Sequence, residues 1–397
     1  MMTTGSTTPF VPLKFIAEIV SGGTPKSDPN NWDGDIPFIT PPDLNGLDGD
    51  VVSQWERTLT DTGTSGSSIT KDAVLLSCRA PIGHVGVVTS EMAFNQGCKS
   101  IVPQDAEDLA YVAYCLVASR RALQALGRGT TFMEISTTQL SNFSIPWPVC
   151  MDRRAITRYL DRETGEIDAM LATLDELTET LRLRRAQAIQ SAVRSPRSIG
   201  IGLMLDVKLG KMLQTKPKSP TDRLQPYLRA AHIQPGGRLE LAIDTKEMYF
   251  SEYEAEALSL RAGDAVIVEG GAGFGRAACL TEDMPGWGFQ NSIIRLRGAS
   301  SDTRYTVYAL QAALESGEIA MACNAATFAH FTAEKVEGFR IPYHGTDEHR
   351  RIADHLDEVT GRIDAMLAKI DELKALLVER RAALITDVVT GRKKVPA

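Results

Sequence analysis

The sequence predicts an α+β protein built from two tandem mixed α/β domains, each followed by one long helix. Three observations lead to this prediction. Residues 160–172 are repeated at 356–368, an offset of 196 in a chain of 397 residues. Each copy continues into a run with helical apolar spacing, and each is preceded by a longer stretch of short β-type runs and turns. Because such a repeat divides the chain into equivalent halves, it indicates the domain plan before single elements are assigned.

The repeated segments are predicted to be helices of about 40 residues, or about 60 Å. Their apolar residues recur in steps of three and four, which keeps the side chains on one stripe and suits a partner helix, as in a coiled coil. A helical pair inside an ordinary bundle is the alternative, but bundle helices are usually joined by short loops. The residues expected at the interface of the helix pair are Ile167, Met170, Leu174, Leu177 and Leu181 in the first helix, and Ile363, Met366, Ile370, Leu373 and Leu377 in the second.

Four segments follow from this plan: a first domain (1–148), a first helix (149–197), a second domain (198–344) and a second helix (345–397). In the first domain, β-type runs at 36–39, 73–76, 85–88 and 99–102 are separated by clusters of Gly, Pro, Asn and Asp. A helical stretch is expected from Asp108 to Leu126.

The second domain repeats the first with little identity. Residues 264–268 correspond to 72–76, Phe289-Gln290-Asn291 to Phe94-Asn95-Gln96, and Asp302, Tyr305 and Tyr308 to Asp108, Tyr111 and Tyr114. Thr327-Phe328 and Phe339-Arg340-Ile341-Pro342 repeat Thr131-Phe132 and Phe143-Ser144-Ile145-Pro146 at the same offset of 196. The whole chain is therefore interpreted as a tandem duplication.

Composition is that of a globular protein, with 43% hydrophobic and 23% charged residues. No apolar run is long enough to cross a bilayer. Cysteines lack metal-binding spacing, so free thiols in a reducing cytoplasm are expected, and no metal site. His349 and His355 are expected at the surface. The net charge of −7, with no strongly basic segment, means that any nucleic-acid contact must come from local patches or a partner subunit.

Catalytic motifs are missing from the sequence. The glycine-rich segment 269–276 lacks the GxGxxG register and is expected to be a turn, and no GxxxxGK[ST] motif occurs. Residues 39–43 lack the Asn or Asp that precedes Pro-Pro in amino-methyltransferases. These observations favour a binding or scaffolding protein over an enzyme.

The motifs together resemble the specificity subunits of type I restriction–modification systems. The resemblance rests on both Leu-Asp-x-x-Thr-Gly-x-Ile-Asp helices and on the domain exits Ile145-Pro146 and Ile341-Pro342. In the first domain it also rests on Gly23-Thr24-Pro25, Trp32-Asp33-Gly34-Asp35-Ile36-Pro37, Arg79-Ala80-Pro81-Ile82-Gly83 and Asn95-Gln96-Gly97. The second domain departs from this pattern, with a turn at 270–276 and an amide pair at Gln290-Asn291.

The resemblance implies two target-recognition domains, each recognising one half of an interrupted double-stranded DNA sequence through base edges and phosphates. It also implies that the helices pair antiparallel with pseudo-two-fold symmetry, set the gap between half-sites and dock two modification (methyltransferase) subunits. Restriction (motor and nuclease) subunits would join through them. S-adenosylmethionine, ATP and Mg would belong to these partners, so the chain itself would be a non-catalytic subunit.

Arg79 and His84 in the first domain and Arg276 in the second are the DNA-binding candidates, since Arg bound to guanine is the commonest specific contact. Surface or ion-pair roles are equally compatible with these side chains. On the helices, Arg184, Arg185, Arg380 and Arg381 are expected on a solvated face, with partner contact as the alternative. A coiled-coil scaffold with two ligand-binding modules and no DNA role is the competing hypothesis, and a self-sufficient methyltransferase fragment is disfavoured by the missing motifs.

Overall fold

The longest elements of the computed structural model are two helices of 44 residues each, Cys150–Val193 and Thr346–Val389. The structure describes residues 8–127, 134–323 and 330–396. The chain forms two compact units, residues 1–174 with 371–397, and residues 175–370. Each unit therefore contains one globular part and one segment of each long helix. This confirms the predicted mixed α/β fold with two long helices; the Thr131-Phe132 and Thr327-Phe328 motifs lie outside the described residues.

The first unit is built from short strands and helices that lead into the first long helix. Its strands are β1 (Phe10–Pro12), β2 (Ala17–Ser21), β3 (Trp32–Ile39), β4 (Asp48–Val51), β5 (Arg57–Leu59), β6 (Ser68–Thr70), β7 (Ala73–Ser77), β8 (Val85–Val88), β9 (Met92–Phe94), β10 (Cys98–Pro103) and β11 (Ser144–Pro146). Its helices are α1 (Asp61–Thr64), α2 (Leu109–Ala118), α3 (Arg120–Leu126), α4 (Thr137–Ser141) and α5 (Cys150–Val193), with 3-10 turns at Leu13–Phe15, Pro29–Asn31, Pro41–Leu44 and Ala106–Asp108.

Two larger sheets organise the first unit. One has the strand order β2-β10-β7-β8-β4, the other β5-β3-β9-β6, and β1 pairs separately with β11. The central strands β7 and β8 are buried along their whole length, as their continuous apolar runs predict. Their core also includes Leu160 and Ile167 of α5 and Leu377 of the second long helix, so the helix segments pack on the same core as the first sheet.

The second unit repeats this plan. Its strands are β12 (Ser198–Gly200), β13 (Asp206–Leu209), β14 (Arg223–Leu228), β15 (Ile233–Gln234), β16 (Arg238–Leu239), β17 (Lys246–Phe250), β18 (Ala265–Val268), β19 (Ala277–Cys279), β20 (Gly288–Phe289), β21 (Ile293–Arg297) and β22 (Arg340–Pro342). Its helices are α6 (Glu252–Ala257), α7 (Ser300–Glu315), α8 (Glu318–Ala322), α9 (Ala333–Gly338) and α10 (Thr346–Val389), with 3-10 turns at Ile201–Leu203, Ala230–His232, Pro235–Gly237 and Gly271–Gly273.

The strand orders β13-β21-β18-β19 and β17-β14-β20 match β2-β10-β7-β8 and β5-β3-β9 of the first unit. The parallel pair β14–β20 corresponds to β3–β9, and the short pair β12–β22 to β1–β11. The duplication inferred from the sequence is therefore present in the topology. The glycine-rich segment forms the turn between β18 and β19, as expected.

The helix segments are antiparallel within each unit. In the first unit Asp168 of α5 pairs with Arg381 of α10, whereas Leu174, further along α5, lies beside the earlier residue Leu373. In the second unit Arg185 pairs with Asp364, and Val193 at the end of α5 lies near His344, just before α10 begins.

Two local features of the structure do not follow from the sequence pattern. The stretch from Asp108 to Leu126 is two helices, α2 and α3, because the backbone at Ser119 leaves helical geometry and its hydroxyl bonds to the Cys115 carbonyl. In addition, Gly22 and Gly210 occupy equivalent places after β2 and β13. A β-carbon at either position would overlap the backbone oxygen of Asn95 or Gln290, so the close approach requires glycine.

Candidate functional site

A buried ion pair joins the first globular part to the start of α5. Arg153 donates from Nε and Nη2 to the two carboxylate oxygens of Asp108, at 2.7 and 2.8 Å, and from Nη1 to the Pro148 carbonyl at 2.7 Å. Its guanidinium lies 4.1 Å from the ring centre of Trp147. The hydrogen bonds to Asp108 raise the pKa of Arg153. The bidentate geometry fixes the direction in which the helix leaves the domain.

The equivalent joint in the second unit uses a histidine. His349 Nδ1 lies 2.7 Å from the Asp302 carboxylate, and Nε2 accepts the backbone N–H of His344 at 3.2 Å. Since Nε2 is an acceptor, the proton of the neutral ring is on Nδ1 and is donated to Asp302. Burial lowers the pKa of His349, while Asp302 opposes this shift. The ring stacks on Tyr305 at 4.0 Å. The expected surface position was thus wrong for His349, which is buried, and correct for His355, which is exposed.

Four tyrosines complete the two joints. Each donates its hydroxyl to a backbone or side-chain oxygen at the base of a long helix, and burial raises the pKa of all four. The contacts are Tyr111 to the Pro146 carbonyl at 2.9 Å, Tyr305 to the Pro342 carbonyl at 2.9 Å, Tyr114 to Asp161 at 2.8 Å and Tyr308 to Asp357 at 2.7 Å.

A second pair of contacts ties the helix segments to the globular parts. Arg381 lies 3.0 Å from Asp168 across the helix pair and donates to Asp50 and to the Asp48 carbonyl, at 3.2 and 3.4 Å. In the second unit Arg185 lies 3.0 Å from Asp364 and donates to the Gly236 carbonyl at 2.9 Å and to Gln311 at 3.2 Å.

These contacts correct the expectation of a solvated helix face for Arg185 and Arg381, both largely buried. The expectation holds for Arg184 and Arg380, which are exposed. The sequence places all four arginines on helices, but the partners of Arg185 and Arg381 come from the other helix and from the globular parts. Only the structure brings these groups together.

The ten residues expected at the helix pair fall into three groups. Ile167, Leu181, Ile370 and Leu377 are buried, and Leu174 and Ile363 are half-buried. Met170, Leu177, Met366 and Leu373 are exposed. In the first unit Met170, Leu174, Leu373 and Leu377 line an apolar groove of about 560 Å³ between the two helix segments. The outer side of the predicted stripe therefore remains uncovered in this chain.

Arg79 and His84 lie together in the turn between β7 and β8. Arg79 is half-exposed and paired with Glu134, whose carboxylate is 2.9 Å from Nη2. His84 accepts the Gly46 N–H on Nδ1 at 3.4 Å, and its pKa is lowered by burial and by the nearby charge of Arg120. Ion pairing reduces the availability of Arg79 but leaves both side chains at the surface.

Arg276 lies in the corresponding turn of the second unit, between β18 and β19. It lines a cavity of about 230 Å³ with Gln311, Glu315 and Gly236. Burial raises the pKa of the Glu315 carboxyl in this cavity. The three DNA-binding candidates thus occupy equivalent turns, two in the first unit and one in the second.

Neither long helix, nor any other helix among the described residues, has the length and apolarity needed to span a bilayer. In the same part of the chain, no group of three or more His, Cys, Asp or Glu side chains is placed to hold a metal ion.

Comparison with known proteins gives a family match over the first globular part and the beginning of α5. A family model described as the type I restriction modification DNA specificity domain matches residues 7–179. The MjaIX specificity subunit of a type I restriction enzyme from Methanocaldococcus jannaschii is 32% identical over 154 residues, covering 37% of this chain and 36% of that protein. The HindI specificity subunit from Haemophilus influenzae is 27% identical over 143 residues, which cover 34% of this chain and 31% of that protein. These alignments span about a third of each relative's length.

Two solved structures share the fold over nearly the whole chain. One comes from a study of complex assembly and conformational transition of the type I R-M system. Its TM-score is 0.72 at 16% identity, and the match covers 99% of this chain and 100% of that chain. The HsdS subunit from Thermoanaerobacter tengcongensis has a TM-score of 0.51 at 15% identity, with 99% of both chains covered. The comparisons thus confirm the resemblance of this chain to the specificity subunits of type I restriction enzymes, and the matched family model covers residues 7–179.

Proposed function

We propose that this chain is the DNA-recognition subunit of a type I restriction–modification complex, with each globular part recognising one half of a bipartite site. The target-recognition domains would be residues 1–148 and 198–344, and the spacer helices 149–197 and 345–397. The observation that carries the proposal is the repeat itself: two units with matching strand orders attach to two long helices through equivalent contacts. Two related modules on one scaffold suit a target with two separate halves.

Base recognition is assigned to the turns that hold Arg79, His84 and Arg276. Arginine can bond guanine through two parallel hydrogen bonds in the major groove, and histidine offers a donor or an acceptor to a base edge. Arg79 would exchange its bond to Glu134 for a base or phosphate on binding. Support comes from the equivalent position of the two turns after β7 and β18.

The helix pair is proposed to set the gap between half-sites and to dock two modification subunits. Support comes from exposed apolar residues that recur at the 196 offset with similar exposure. Met170 and Met366 are 52% and 50% exposed, and Leu177 and Leu373 are 43% and 45% exposed. Two copies of one apolar patch fit two copies of one partner, because a repeated surface presents the same contacts twice.

Methyl transfer, with S-adenosylmethionine, would belong to the modification subunits. ATP and Mg would belong to restriction subunits that join through them. This chain would contribute double-stranded DNA recognition and assembly rather than catalysis. The second candidate, a coiled-coil scaffold with two ligand-binding modules and no DNA role, predicts that DNA methylation is independent of this chain.

Base-modification sequencing of DNA from cells with and without the gene tests the proposal. We expect an interrupted methylated motif that disappears on deletion and returns when the gene is restored. The motif would also reveal the target and gap. If every methylated motif persisted in the deletion strain, the DNA-recognition role would be rejected in favour of the scaffold.

A further inference from the structure

The loop between β13 and β14, residues 210–222, is the centre of a basic patch in an acidic protein. Residues 208–223 contain five basic residues (Lys208, Lys211, Lys216, Lys218 and Arg223) and one acidic residue, Asp222, whereas the whole chain has a net charge of −7. We refer to residues 208–223 as the basic loop. In an acidic chain, contact with nucleic acid must come from local basic patches, and the basic loop is such a patch.

The base of the loop is held rigidly by Lys211. Its Nζ donates to Glu254 at 2.6 Å, to Gln214 at 2.9 Å and to the Tyr249 carbonyl at 2.9 Å. Gln214 in turn accepts the Tyr249 N–H through its backbone oxygen. Since these bonds occupy the Lys211 ammonium inside the protein, Lys211 orders the loop rather than serving as a free surface charge.

Asp222, the acidic member of the basic loop, is bonded within the loop. Its carboxylate accepts the Lys218 backbone N–H at 2.7 Å and the Gln214 side-chain N–H at 3.0 Å. These hydrogen bonds lower the pKa of Asp222. The carboxylate is therefore used to shape the loop and does not form an ion pair with the lysines at its tip.

Lys216 and Lys218 remain as exposed charges on a fixed backbone. Among the described residues, neither ammonium group has a carboxylate within 4.0 Å. Beside them, the apolar side chains of Met212 and Leu213 are also exposed. An ordered loop that presents two lysine ammonium groups to solvent has the chemistry to bind a polyanion.

The loop lies beside groups that can contact bases. The Lys211 carbonyl accepts the Asn291 N–H at 2.8 Å, and Lys211 forms a parallel bridge with Gln290. Both amide residues are half-buried at this edge of the sheet. Gln and Asn side chains can form paired hydrogen bonds with adenine, and phosphate contacts next to them would fix their register on the duplex.

We propose that Lys216 and Lys218 bind DNA backbone phosphates and thereby seat the second unit on its half-site. This inference rests on the proposed DNA-recognition function and assigns residues to it. The equivalent loop of the first unit, residues 22–31, begins at Gly22 as the loop between β13 and β14 begins at Gly210, but it contains only Lys26 and Asp28 as charged residues. The phosphate contribution is therefore unequal between the two units.

The test measures binding of the full chain, assembled with its methyltransferase subunits, to a fluorescent duplex of arbitrary sequence at about 50 to 200 mM salt. Log affinity falls linearly with log salt concentration, and each lost phosphate contact makes this slope less steep by about 0.9. We expect Lys216→Gln/Lys218→Gln to make the slope less steep by about 2 and to weaken binding at low salt. Lys216→Arg/Lys218→Arg should retain the wild-type slope, and thermal unfolding of both variants should match wild type.

Lys246→Gln/Lys369→Gln is the charge-matched control, because it removes two exposed lysines of the same unit outside the loop. If the control made the salt dependence of binding less steep by the same amount, the effect would be one of general charge, and the inference would be overturned. An unchanged slope in the loop variant, with the wild-type complex binding DNA, would overturn it while leaving the proposed function intact. If the wild-type complex bound no DNA at all, both would be rejected.

Discussion

The Nε atom of Arg185 lies 3.0 Å from the Asp364 carboxylate, and Arg381 stands in the same relation to Asp168 at the same distance. Arg381 lies 196 positions after Arg185, and Asp364 lies 196 positions after Asp168, so the two pairs are equivalent in the repeat. Each arginine also bonds to a backbone carbonyl of the globular part in its own unit, Gly236 for Arg185 and Asp48 for Arg381. One side chain therefore links two helix segments and a domain, which makes the angle between domain and helix pair dependent on it.

Replacing Arg185 with methionine should destabilise the second unit by about 2 kcal/mol, since a hydrogen bond to a charged group contributes about 1.5–3 kcal/mol and Asp364 retains some access to water. Urea unfolding measures this change. Arg184→Met is the matched control, because Arg184 is the exposed neighbour on the same helix, and it should shift stability by less than about 0.5 kcal/mol. Equal effects of the two substitutions would contradict the linking role of Arg185.

The buried pair at the start of α5 gives a larger expected effect. Arg153→Met leaves Asp108 buried without its partner and should cost about 3–5 kcal/mol. Arg154, the next residue, forms exposed ion pairs with Asp105 and Glu107, so Arg154→Met should cost no more than about 1 kcal/mol. Denaturant titration compares the two. Adding Asp108→Asn to Arg153→Met should recover part of the loss, and failure to do so would argue against an uncompensated charge as its cause.

The histidine at the equivalent joint makes the second unit sensitive to pH. Burial lowers the pKa of His349 in the folded chain, whereas the unfolded side chain titrates near about 6.5. Below that pH the unfolded state takes up a proton that the folded state resists. Stability is therefore fully present above about pH 6.5 and falls as the pH decreases, by at most about 1.4 kcal/mol per pH unit for one proton.

Thermal unfolding between pH 5.5 and 7.5 (a span of about two units around the histidine range) measures the slope. His349→Gln should flatten it, although His232 and His84, whose pKa values burial also lowers, should leave a residual slope of the same sign. His355→Gln is the matched control on the same helix and should not change it. A steeper or unaltered slope for His349→Gln would refute the assignment.

The joints also show what the sequence could and could not predict. Matching Asp302, Tyr305 and Tyr308 to Asp108, Tyr111 and Tyr114 was possible from spacing alone, and the structure places the two sets in equivalent contacts. The partners of the two aspartates were missed because Arg153 and His349 are different residues at the 196 offset. Aligning position by position, rather than by identity, would have paired them.

The helix pair was predictable as a stripe but not in its exposure. Steps of three and four place Ile167, Met170, Leu373 and Leu377 on one side of their helices, yet a single partner helix covers only part of that side. Ile167 and Leu377 are buried, whereas Met170 and Leu373 are not. The residues left uncovered depend on how the two helices face each other, which periodicity does not specify.

The uncovered residues lead to a prediction about stoichiometry under the proposed function. Met170→Glu should remove one methyltransferase subunit from the complex, Met366→Glu one, and the double variant both, because each methionine belongs to one copy of the repeated patch. Mass measurement of the purified complex distinguishes these species. The chain should unfold as wild type, since both side chains are about half exposed.

Leu376→Glu is the control for this experiment. Leu376 is 61% exposed on α10 but has Thr180 at the equivalent position of α5, so it lies outside the repeated patch. Its substitution should leave two methyltransferase subunits bound. Loss of both subunits from either single methionine variant would contradict two independent docking patches.

The modular organisation predicts the outcome of a domain exchange. Replacing residues 199–344 with the corresponding unit of a relative should change one half of the methylated motif and preserve the other half and the gap. The first exchange point lies within β12, after Ser198, and the second lies between β22 and α10, so both long helices and the Arg381–Asp168 contact stay intact. His349 remains in the chain, and the incoming domain must supply an aspartate at the position of Asp302. Base-modification sequencing reads the result directly: a change in both halves, or in neither, would refute the assignment of one half-site to each unit.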